Sequence, residues 1–385
     1  MQHANPVDDP ASPGRAPRAS VLVTGLFHPL ARRIASLASS EGHARALYLV
    51  ATPAELASAR ALAAEASPGC RVEVLEGDPA SMDLGLAGSE YRALAAQVDR
   101  IHHLAHSADT SLDAATLTAL NVASALEAVE LARTSGRARL VFHSSVYAAP
   151  IDGGVAYERA CHGDEASHDP LTTARRRAEA VAWRASRDCE LVVLRTGGVV
   201  PVPERDRPLV SIATNANLLG LLLVLAQDRE AHGASAAPFA ALARGLACAP
   251  LHLAPLDFVA RACWVLGARA DAGGAPLHLV APRPPTAGDI ARELRALWGP
   301  TRRLALGRAL FAPKLLESLA RAPRAFVERV ATTRRFDTHR AARLLEAEGL
   351  AWPGPESYVE HLAEMLEAEL GGARSSLDST PTPHA

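Results

Sequence analysis

Histidine residues recur at the ends of short apolar runs in this chain. They are His28, His103, His106 and His143. The four histidines fall at the carboxyl ends of the first, fourth and fifth predicted strands. Because the carboxyl ends of parallel strands meet at the edge of a sheet where ligands bind, we expect these four imidazoles to share one crevice. Grouped imidazoles can bind an anion or a metal ion, whereas histidines that only line a rim bind neither.

Residues 21–25 (Val-Leu-Val-Thr-Gly) form the first strand-and-turn pattern of the chain. The sequence becomes helical from Leu30 onward. A buried strand that ends in Thr-Gly before a helix is typical of the phosphate turn in a dinucleotide-binding sheet, where the helix N-terminus attracts the anion. Most of the glycines that usually follow in such a turn are absent, which leaves open whether the site works.

Short apolar runs alternate with amphipathic helical stretches through the first half of the chain. The predicted strands cover residues 20–24, 46–50, 71–75, 101–105, 140–143 and 191–195. The predicted helices cover residues 30–39, 53–65, 91–98, 114–134 and 170–185. This alternation predicts an α/β fold with a doubly wound, parallel, Rossmann-like sheet.

Beyond residue 198 the alternation ends, and a smaller, mostly helical C-terminal lobe is expected. Its predicted elements are a helix at 218–227, a proline-flanked segment at 255–259, a strand at 276–280 and a helix at 357–370. The expected domains are therefore a Rossmann-like domain at 20–200 and, interleaved with it, a C-terminal lobe at 201–370. Residues 1–19 and 371–385 have the composition of disordered termini.

Composition argues against several classes of protein. The chain has 385 residues, 49% of them hydrophobic, and a formal net charge of -2, which suit a sizeable core and give no attraction for nucleic acid. Its five cysteines are scattered and odd in number, as in a reducing compartment, and form no zinc motif. No apolar signal sequence is evident, and the longest lipophilic run, 218–226, is too short to span a bilayer. We therefore expect a cytoplasmic protein that is not integral to a membrane and that binds no metal.

Seven short motifs occur in the order and spacing of one known family. They are Val-Leu-Val-Thr-Gly at 21–25, Gly-Asp at 77–78 followed by Leu-Gly-Leu at 84–86, His-Leu-Ala at 103–105, Asn-Val at 121–122, Val-Phe-His-Ser-Ser-Val at 141–146, Leu-Arg-Thr-Gly at 194–197 and Pro-Leu-Asp-Phe-Val at 255–259. With these motifs the chain resembles the extended short-chain dehydrogenase/reductases, and in particular their fatty-acyl and thioester reductase branch. The resemblance spans residues 20–285.

The resemblance implies NAD or NADP as the cofactor and hydride transfer to an acyl thioester or another carbonyl group. The family uses a tyrosine as proton donor, a lysine four residues later, and a serine or threonine that orients the substrate oxygen. Here Leu171 stands at the tyrosine position, Arg175 at the lysine position and Ser145 at the serine position. The only lysine of the chain is Lys314, which Leu310 precedes by four residues, so no Tyr-x-x-x-Lys sequence exists. Standard tyrosine–lysine catalysis is therefore not expected.

The same resemblance assigns a set of cofactor contacts. They are Thr24, Gly25, His28, Ala31, Arg32, Asp78, His103, Ala105 and Asn121. His28 and Ala31 replace the second and third glycines of the family turn. Alanine is tolerated at the third position, but a histidine side chain at the second position should obstruct the pyrophosphate. Where the branch usually carries an arginine for the 2′-phosphate of NADP, this chain has Ala51. The resemblance thus implies a weakened dinucleotide site, with Asp78 near the adenine.

Two functions remain open from the sequence. The chain is either a divergent oxidoreductase, in which Ser145 polarises the substrate oxygen and Arg175 holds the nicotinamide ribose, or a non-catalytic relative that binds a nucleotide, an acyl ligand or a protein partner. Ser145 could instead satisfy only backbone groups at its strand end, and Tyr147 or Tyr157 could replace the missing proton donor. The basic segment 301–345 could bind an acidic acyl-carrier protein or form a solvated helical face.

Overall fold

A sheet of seven parallel strands lies at the centre of the computed structural model, which describes residues 18–109, 112–152, 154–165, 167, 169–201, 247–298, 335–365 and 367. The strands of the described chain are β1 (Ala19–Thr24), β2 (Ala44–Ala51), β3 (Arg71–Glu76), β4 (Arg100–His103), β5 (Arg139–Ser145), β6 (Ile151–Asp152), β7 (Val155–Ala156), β8 (Leu191–Thr196), β9 (Gly198–Val200), β10 (Leu253–Pro255), β11 (Leu277–Leu279) and β12 (Arg335–Phe336). Its α-helices are α1 (Pro29–Ser39), α2 (Leu56–Ala64), α3 (Gly88–Gln97), α4 (Ala114–Ser135), α5 (Pro170–Arg184), α6 (Leu256–Ala268), α7 (Ala287–Leu297) and α8 (His339–Ala347).

The strand order of the central sheet is β11-β8-β5-β4-β1-β2-β3. The chain runs outward from β1 through β2 to β3 and then returns to the other side of β1 to place β4. A reversal of this kind opens a crevice at the carboxyl edge between the two central strands, and ligands of doubly wound sheets bind there. The topology therefore directs attention to the turns that follow β1 and β4.

Helices cover both faces of the sheet. On one face α1, α2, α6 and α8 pack against residues such as Val21, Val23 and Leu194. On the other face α3, α4 and α5 pack against residues such as Leu22 and Phe142. Strands that are buried on both faces read as continuous apolar runs rather than as alternating patterns, which is why the sequence marked them clearly.

The predicted α/β fold with a parallel, doubly wound, Rossmann-like sheet is confirmed. The proline-flanked segment 255–259 is the start of α6, and the predicted strand at 276–280 is β11, the outermost strand beside β8. The second helix begins at Leu56 rather than at residue 53, because Thr52 and Glu55 form a turn in which the Glu55 N–H donates to the Thr52 carbonyl at 2.8 Å. The fourth strand ends at His103, two residues before its predicted end.

Several predictions concern segments outside the described residues. They are the disordered termini at 1–17 and 371–385, the helix at 218–227, and most of the basic segment, 301–334. Of the helix predicted at 357–370, residues 359–365 are helical and follow a 3-10 turn at Pro355–Ser357.

One helix of the described chain, α4, is long and apolar enough to cross a membrane by length and composition alone. It lies instead in the core cluster on its face of the sheet, where Ala125, Val129 and Ala132 are buried. The core helix of a globular domain passes the same test. The helix therefore gives only weak evidence for a membrane segment.

A buried ion pair connects α5 to β8, next to the outermost strand β11. The guanidinium of Arg195 on β8 donates to both carboxylate oxygens of Glu179 on α5, at 3.0 and 2.5 Å, and both side chains are fully buried. Arg195 also contacts Nε2 of His278 on β11 at 3.1 Å, and the Trp183 indole N–H donates to Glu179 at 3.2 Å. This network fixes the orientation of α5, the helix that carries the family's catalytic positions.

Candidate active site

The turn after β1 has kept the glycine that its geometry requires. Gly25 has a φ of +78°, and a Cβ atom there would lie 2.5 Å from the carbonyl carbon of Leu104 and 2.6 Å from the backbone nitrogen of Ala105. Only glycine combines this left-handed conformation with so close an approach. The turn that should receive a phosphate is therefore pressed against the chain that follows β4.

His28 caps the helix that follows this turn. Its Nδ1 accepts a hydrogen bond from the Leu30 N–H at 3.1 Å, and Pro29 begins α1 directly after it. Burial and the charges of Arg175 and Arg32 lower the pKa of His28 to about 4, so the imidazole is neutral at pH 7 and can accept this bond. Because an N-terminal N–H group of the helix is already paired, a phosphate that approaches here competes with the His28 side chain.

The carboxylate of Glu55 binds the same turn from the side of β2. Its Oε1 accepts the Phe27 N–H at 2.9 Å, while its Oε2 accepts both the N–H and the hydroxyl of Thr52, at 3.0 and 2.9 Å. The residue is only 4% exposed. The sequence reasoning missed Glu55, and the one signal for it was an acidic residue shortly after the second strand.

On the other side of the crevice, the end of β4 is held by a short chain of polar contacts. The Thr24 hydroxyl lies 3.0 Å from Nδ1 of His103, and the Ser124 hydroxyl donates to the Ala105 carbonyl at 2.6 Å. Asn121 on α4 donates to the carbonyl of Ser107 at 3.1 Å. These residues fix the loop after β4 against α4, and the predicted contacts Thr24, His103, Ala105 and Asn121 thus lie together at one place.

The predicted grouping of histidines at the carboxyl edge is present and extends to a residue that the sequence reasoning did not single out. Nε2 of His143 lies 3.0 Å from Nδ1 of His102, whose ring stacks on the Trp264 indole with 5.8 Å between centroids. His103 and His106 meet edge to face at 5.0 Å. Alternation along β4 places His102 and His103 on opposite faces of the sheet, so His102 meets His143 while His103 meets His106.

Burial keeps these imidazoles neutral. It lowers the pKa of His103 to about 3 and, together with the neighbouring His28 and His103, that of His143 to about 3. Burial lowers the pKa of His102 and His106 well below the ordinary value as well. No group of three or more metal-ligating side chains that could hold a metal ion occurs in the part of the chain that the structure describes. The metal interpretation of the cluster therefore has no geometric support there.

The family's catalytic positions fall on α5 and at the end of β5. Leu171 is buried and packs with Leu117 and Ala174 in a small apolar cluster between α4 and α5. Arg175, one turn later, is half-buried, and its charge contributes to the lowered pKa of both His28 and His106, which places it at the crevice. A cation thus stands at the lysine position, and a hydrocarbon stands at the tyrosine position.

Ser145 ends β5 and caps the short 3-10 turn Val146–Ala148. Its hydroxyl oxygen accepts the Tyr147 N–H at 3.3 Å, which is the backbone role that the sequence left open. A hydroxyl that accepts one bond can still donate its own proton to a second oxygen. Of the two tyrosines near it, Tyr147 packs edge to face on Phe336 with 6.2 Å between centroids, and Tyr157 is 43% exposed.

The remaining predicted contacts are spread over the turn and the third strand. Ala31 is fully buried on α1. Arg32 is not a solvated surface arginine; it is only 7% exposed and donates to the Leu26 carbonyl at 2.5 Å. Arg33 forms ion pairs with Glu41 and Asp257 and so is not directed at a ligand. Asp78, exposed after β3, accepts the Ala80 N–H at 2.9 Å.

Comparisons with known proteins agree with this geometry. The model of a family of NAD-binding domains, described as "Male sterility protein", matches residues 51–263. No curated protein matches the chain in sequence.

Solved structures share the fold over nearly the whole chain. The terminal R domain of the myxalamid PKS-NRPS pathway is 20% identical, with 93% of each chain covered and a TM-score of 0.67. A thiolation-reductase di-domain of an archaeal non-ribosomal peptide synthetase is 14% identical, with 94% of this chain and 76% of that chain covered and a TM-score of 0.65. Yeast methylglyoxal/isovaleraldehyde reductase complexed with NADPH is 15% identical, with 91% and 99% covered and a TM-score of 0.58. At these identities the likeness concerns the fold.

Proposed function

The chain belongs to the NAD-binding family described as male sterility protein, within the thioester-reductase-like extended short-chain dehydrogenase/reductases, and on this premise we propose that it binds a nicotinamide dinucleotide without carrying out the tyrosine-dependent reduction of that branch. The observation that carries the proposal is the environment of Leu171. It is packed among Leu117 and Ala174 and offers no proton.

A proton is the missing component of the reaction. When bound, the nicotinamide would supply a hydride, and the oxygen that receives the negative charge then needs a proton donor within hydrogen-bond reach. In the family a tyrosine gives this proton, and its ordinary pKa near 10 must be lowered by a fixed cation. Arg175 supplies a positive charge at the lysine position. Because Leu171 stands at the tyrosine position, there is no phenol whose pKa that charge could lower.

The crevice fits a dinucleotide. Gly25 preserves a turn in which a Cβ would collide with the chain after β4, so the backbone remains open to a phosphate. Thr24 and His103 hold the two walls together at 3.0 Å. Arg175 contributes a positive charge close to His28 at the turn. In our proposal the turn and Arg175 hold the phosphates and the nicotinamide ribose, and His28 must give up its bond to Leu30 when a phosphate binds.

An active reductase is the second candidate, and the position of Ser145 favours it. Its hydroxyl proton can be donated to a substrate carbonyl, which would polarise that oxygen, and Tyr147 follows two residues later. The R domain and the thiolation-reductase di-domain among the structural neighbours support a thioester substrate that is linked to a carrier protein. We retain a cytoplasmic location as a prediction.

Calorimetric titration with NADH and with NADPH tests binding, and the absorbance of the reduced nicotinamide during incubation with acyl-coenzyme A thioesters tests turnover. We expect binding of at least one nucleotide and no turnover. The double variant Leu171→Tyr with Arg175→Lys should then gain activity at least about tenfold above background, because it restores the proton donor and places beside it the lysine that the family uses.

Turnover by the unmodified protein would overturn the proposal in favour of the second candidate. In that case Ser145→Ala should lower the rate by about ten- to a thousandfold as a lost oxygen-stabilising donor. Tyr147→Phe and Tyr157→Phe, measured separately, would then show which of the two tyrosines donates the proton. Absence of binding by either nucleotide would exclude both functions.

A further inference from the structure

The carboxylate of Glu55 fills a small nest of donors at the corner between the first turn and the second strand. The N–H of Phe27 and both the N–H and the hydroxyl of Thr52 converge on it at 2.9 to 3.0 Å. Converging backbone N–H groups of this kind form anion-binding concavities. Here the bound anion is a side chain of the protein itself, held almost entirely out of solvent.

This corner has a defined place in a dinucleotide-binding sheet. The adenosine ribose lies beyond the carboxyl end of the second strand, where an acidic residue binds its 2′-hydroxyl and an arginine accommodates a 2′-phosphate. In this chain the position expected to carry that arginine is Ala51, the last residue of β2. Arg33 on α1 is engaged elsewhere, by Glu41 at 3.1 Å and by Asp257. The corner therefore presents a carboxylate and lacks the arginine that would compensate a second anion.

We propose that Glu55 makes the crevice select NAD(H) over NADP(H). The inference rests on the proposed binding of a nicotinamide dinucleotide and specifies which one is bound. The 2′-hydroxyl of NAD(H) can donate to the carboxylate, whereas the 2′-phosphate of NADP(H) brings about two negative charges to donors that are already occupied. Repulsion between two anions in a site of low exposure is a strong means of discrimination.

A purely structural role of Glu55, as a brace between the turn and β2, makes a different prediction. Loss of a brace would loosen the turn and weaken both nucleotides by the same factor. Loss of a charge that repels the 2′-phosphate changes the ratio of the two affinities. The ratio of dissociation constants, rather than either constant alone, is therefore the quantity to measure.

The test is calorimetric titration of the full chain with NADH and NADPH, repeated for Glu55→Gln and for Glu65→Gln. Glu65→Gln is the matched control, because it removes the same charge from the exposed far end of α2 and does not touch the turn. We expect the unmodified chain to bind NADH at least about tenfold more tightly than NADPH, which corresponds to about 1.4 kcal/mol. Glu55→Gln should reduce that ratio at least about fivefold, and Glu65→Gln should leave it unchanged.

Each outcome bears on one of the two proposals. If NADPH binds as tightly as NADH to the unmodified chain, the selection by Glu55 is wrong, while dinucleotide binding stands. If Glu55→Gln weakens both nucleotides equally, Glu55 is a brace and the selection is again wrong. If neither nucleotide binds, the proposed function fails and the selection fails with it. If the Glu55 variant does not fold, equal affinities of the unmodified chain for NADH and NADPH still refute the selection.

Discussion

Acid should destabilise this protein through histidines that are buried in their neutral form, and His103 allows the effect to be calculated. Its side chain is fully buried, lies 3.0 Å from the Thr24 hydroxyl, and has a pKa lowered by burial to about 3. In the unfolded chain the ordinary pKa is about 6.5. Between these values the unfolded chain binds a proton that the folded chain does not, so the folded state loses stability as the pH falls.

The magnitude follows from the width of that window. The free energy of unfolding falls by about 1.4 kcal/mol for each pH unit below the unfolded pKa, as long as the pH stays above the folded pKa. At pH 5, about 1.5 units below the unfolded value, His103 alone should cost the protein about 2 kcal/mol relative to pH 7.5. The same direction holds for His143, whose pKa is also lowered to about 3, so the total loss should exceed this amount.

The perturbation that isolates His103 is His103→Gln, which keeps a polar side chain but cannot be protonated. Urea denaturation followed by far-ultraviolet circular dichroism, at pH 7.5 and at pH 5, gives the free energy of unfolding of both proteins. The variant should be less stable at pH 7.5, and its deficit should shrink by about 2 kcal/mol at pH 5. His339→Gln, which removes an exposed imidazole at the start of α8, is the control. A deficit for His103→Gln that is the same at both pH values would refute the reasoning.

Three further substitutions test the structural elements that position the site. Glu179→Ala leaves the buried Arg195 charge without its carboxylate and should lower the free energy of unfolding by about 3 to 5 kcal/mol, measured by urea denaturation; a loss below 1 kcal/mol would contradict a buried pair. Gly25→Ala forces a Cβ into a left-handed backbone that contacts the chain after β4, and should lower the melting temperature and abolish dinucleotide binding together. His28→Ala removes the cap on the Leu30 N–H and should cost about 1 kcal/mol in the same denaturation assay, and an unchanged midpoint would show that the cap contributes nothing.

Much of the fold could be read from the chain because its signals are local. The apolar runs of β1, β2 and β8 and the helical stretches between them depend on residues close in sequence, and a parallel sheet buried on both faces leaves such runs continuous. The start of α2 was predicted three residues too early, because a turn closed by Thr52 and Glu55 replaces the first helical residues. Helical propensity alone does not detect such a turn.

For the candidate site, too, residue identities could be read from the sequence, whereas side-chain positions could not. The absence of a tyrosine–lysine pair follows from residue identities and needs no structure, since Leu171 cannot donate a proton and Lys314 is the only lysine. Where the side chains point is a different matter. The sequence reasoning treated His28 as an obstruction at the turn and missed its local role, since its ring caps the Leu30 N–H only two residues away. The burial of Arg32 depends on the elements that pack over it, which no local pattern shows.

The sequence by itself determined the succession of strands and helices along the chain, the turn after β1 and the loss of the family's proton donor, because these are properties of residue type and spacing. Only the tertiary structure decided that the Glu55 carboxylate occupies the donors of Phe27 and Thr52, and that His143 pairs with His102 across β4 and β5. The contacts from Glu55 to Phe27 and from His143 to His102 join residues 28 and 41 positions apart, whereas the contact from Glu55 to Thr52 is local. Their energies arise from burial and from distances of about 3 Å, which exist only after the sheet has formed.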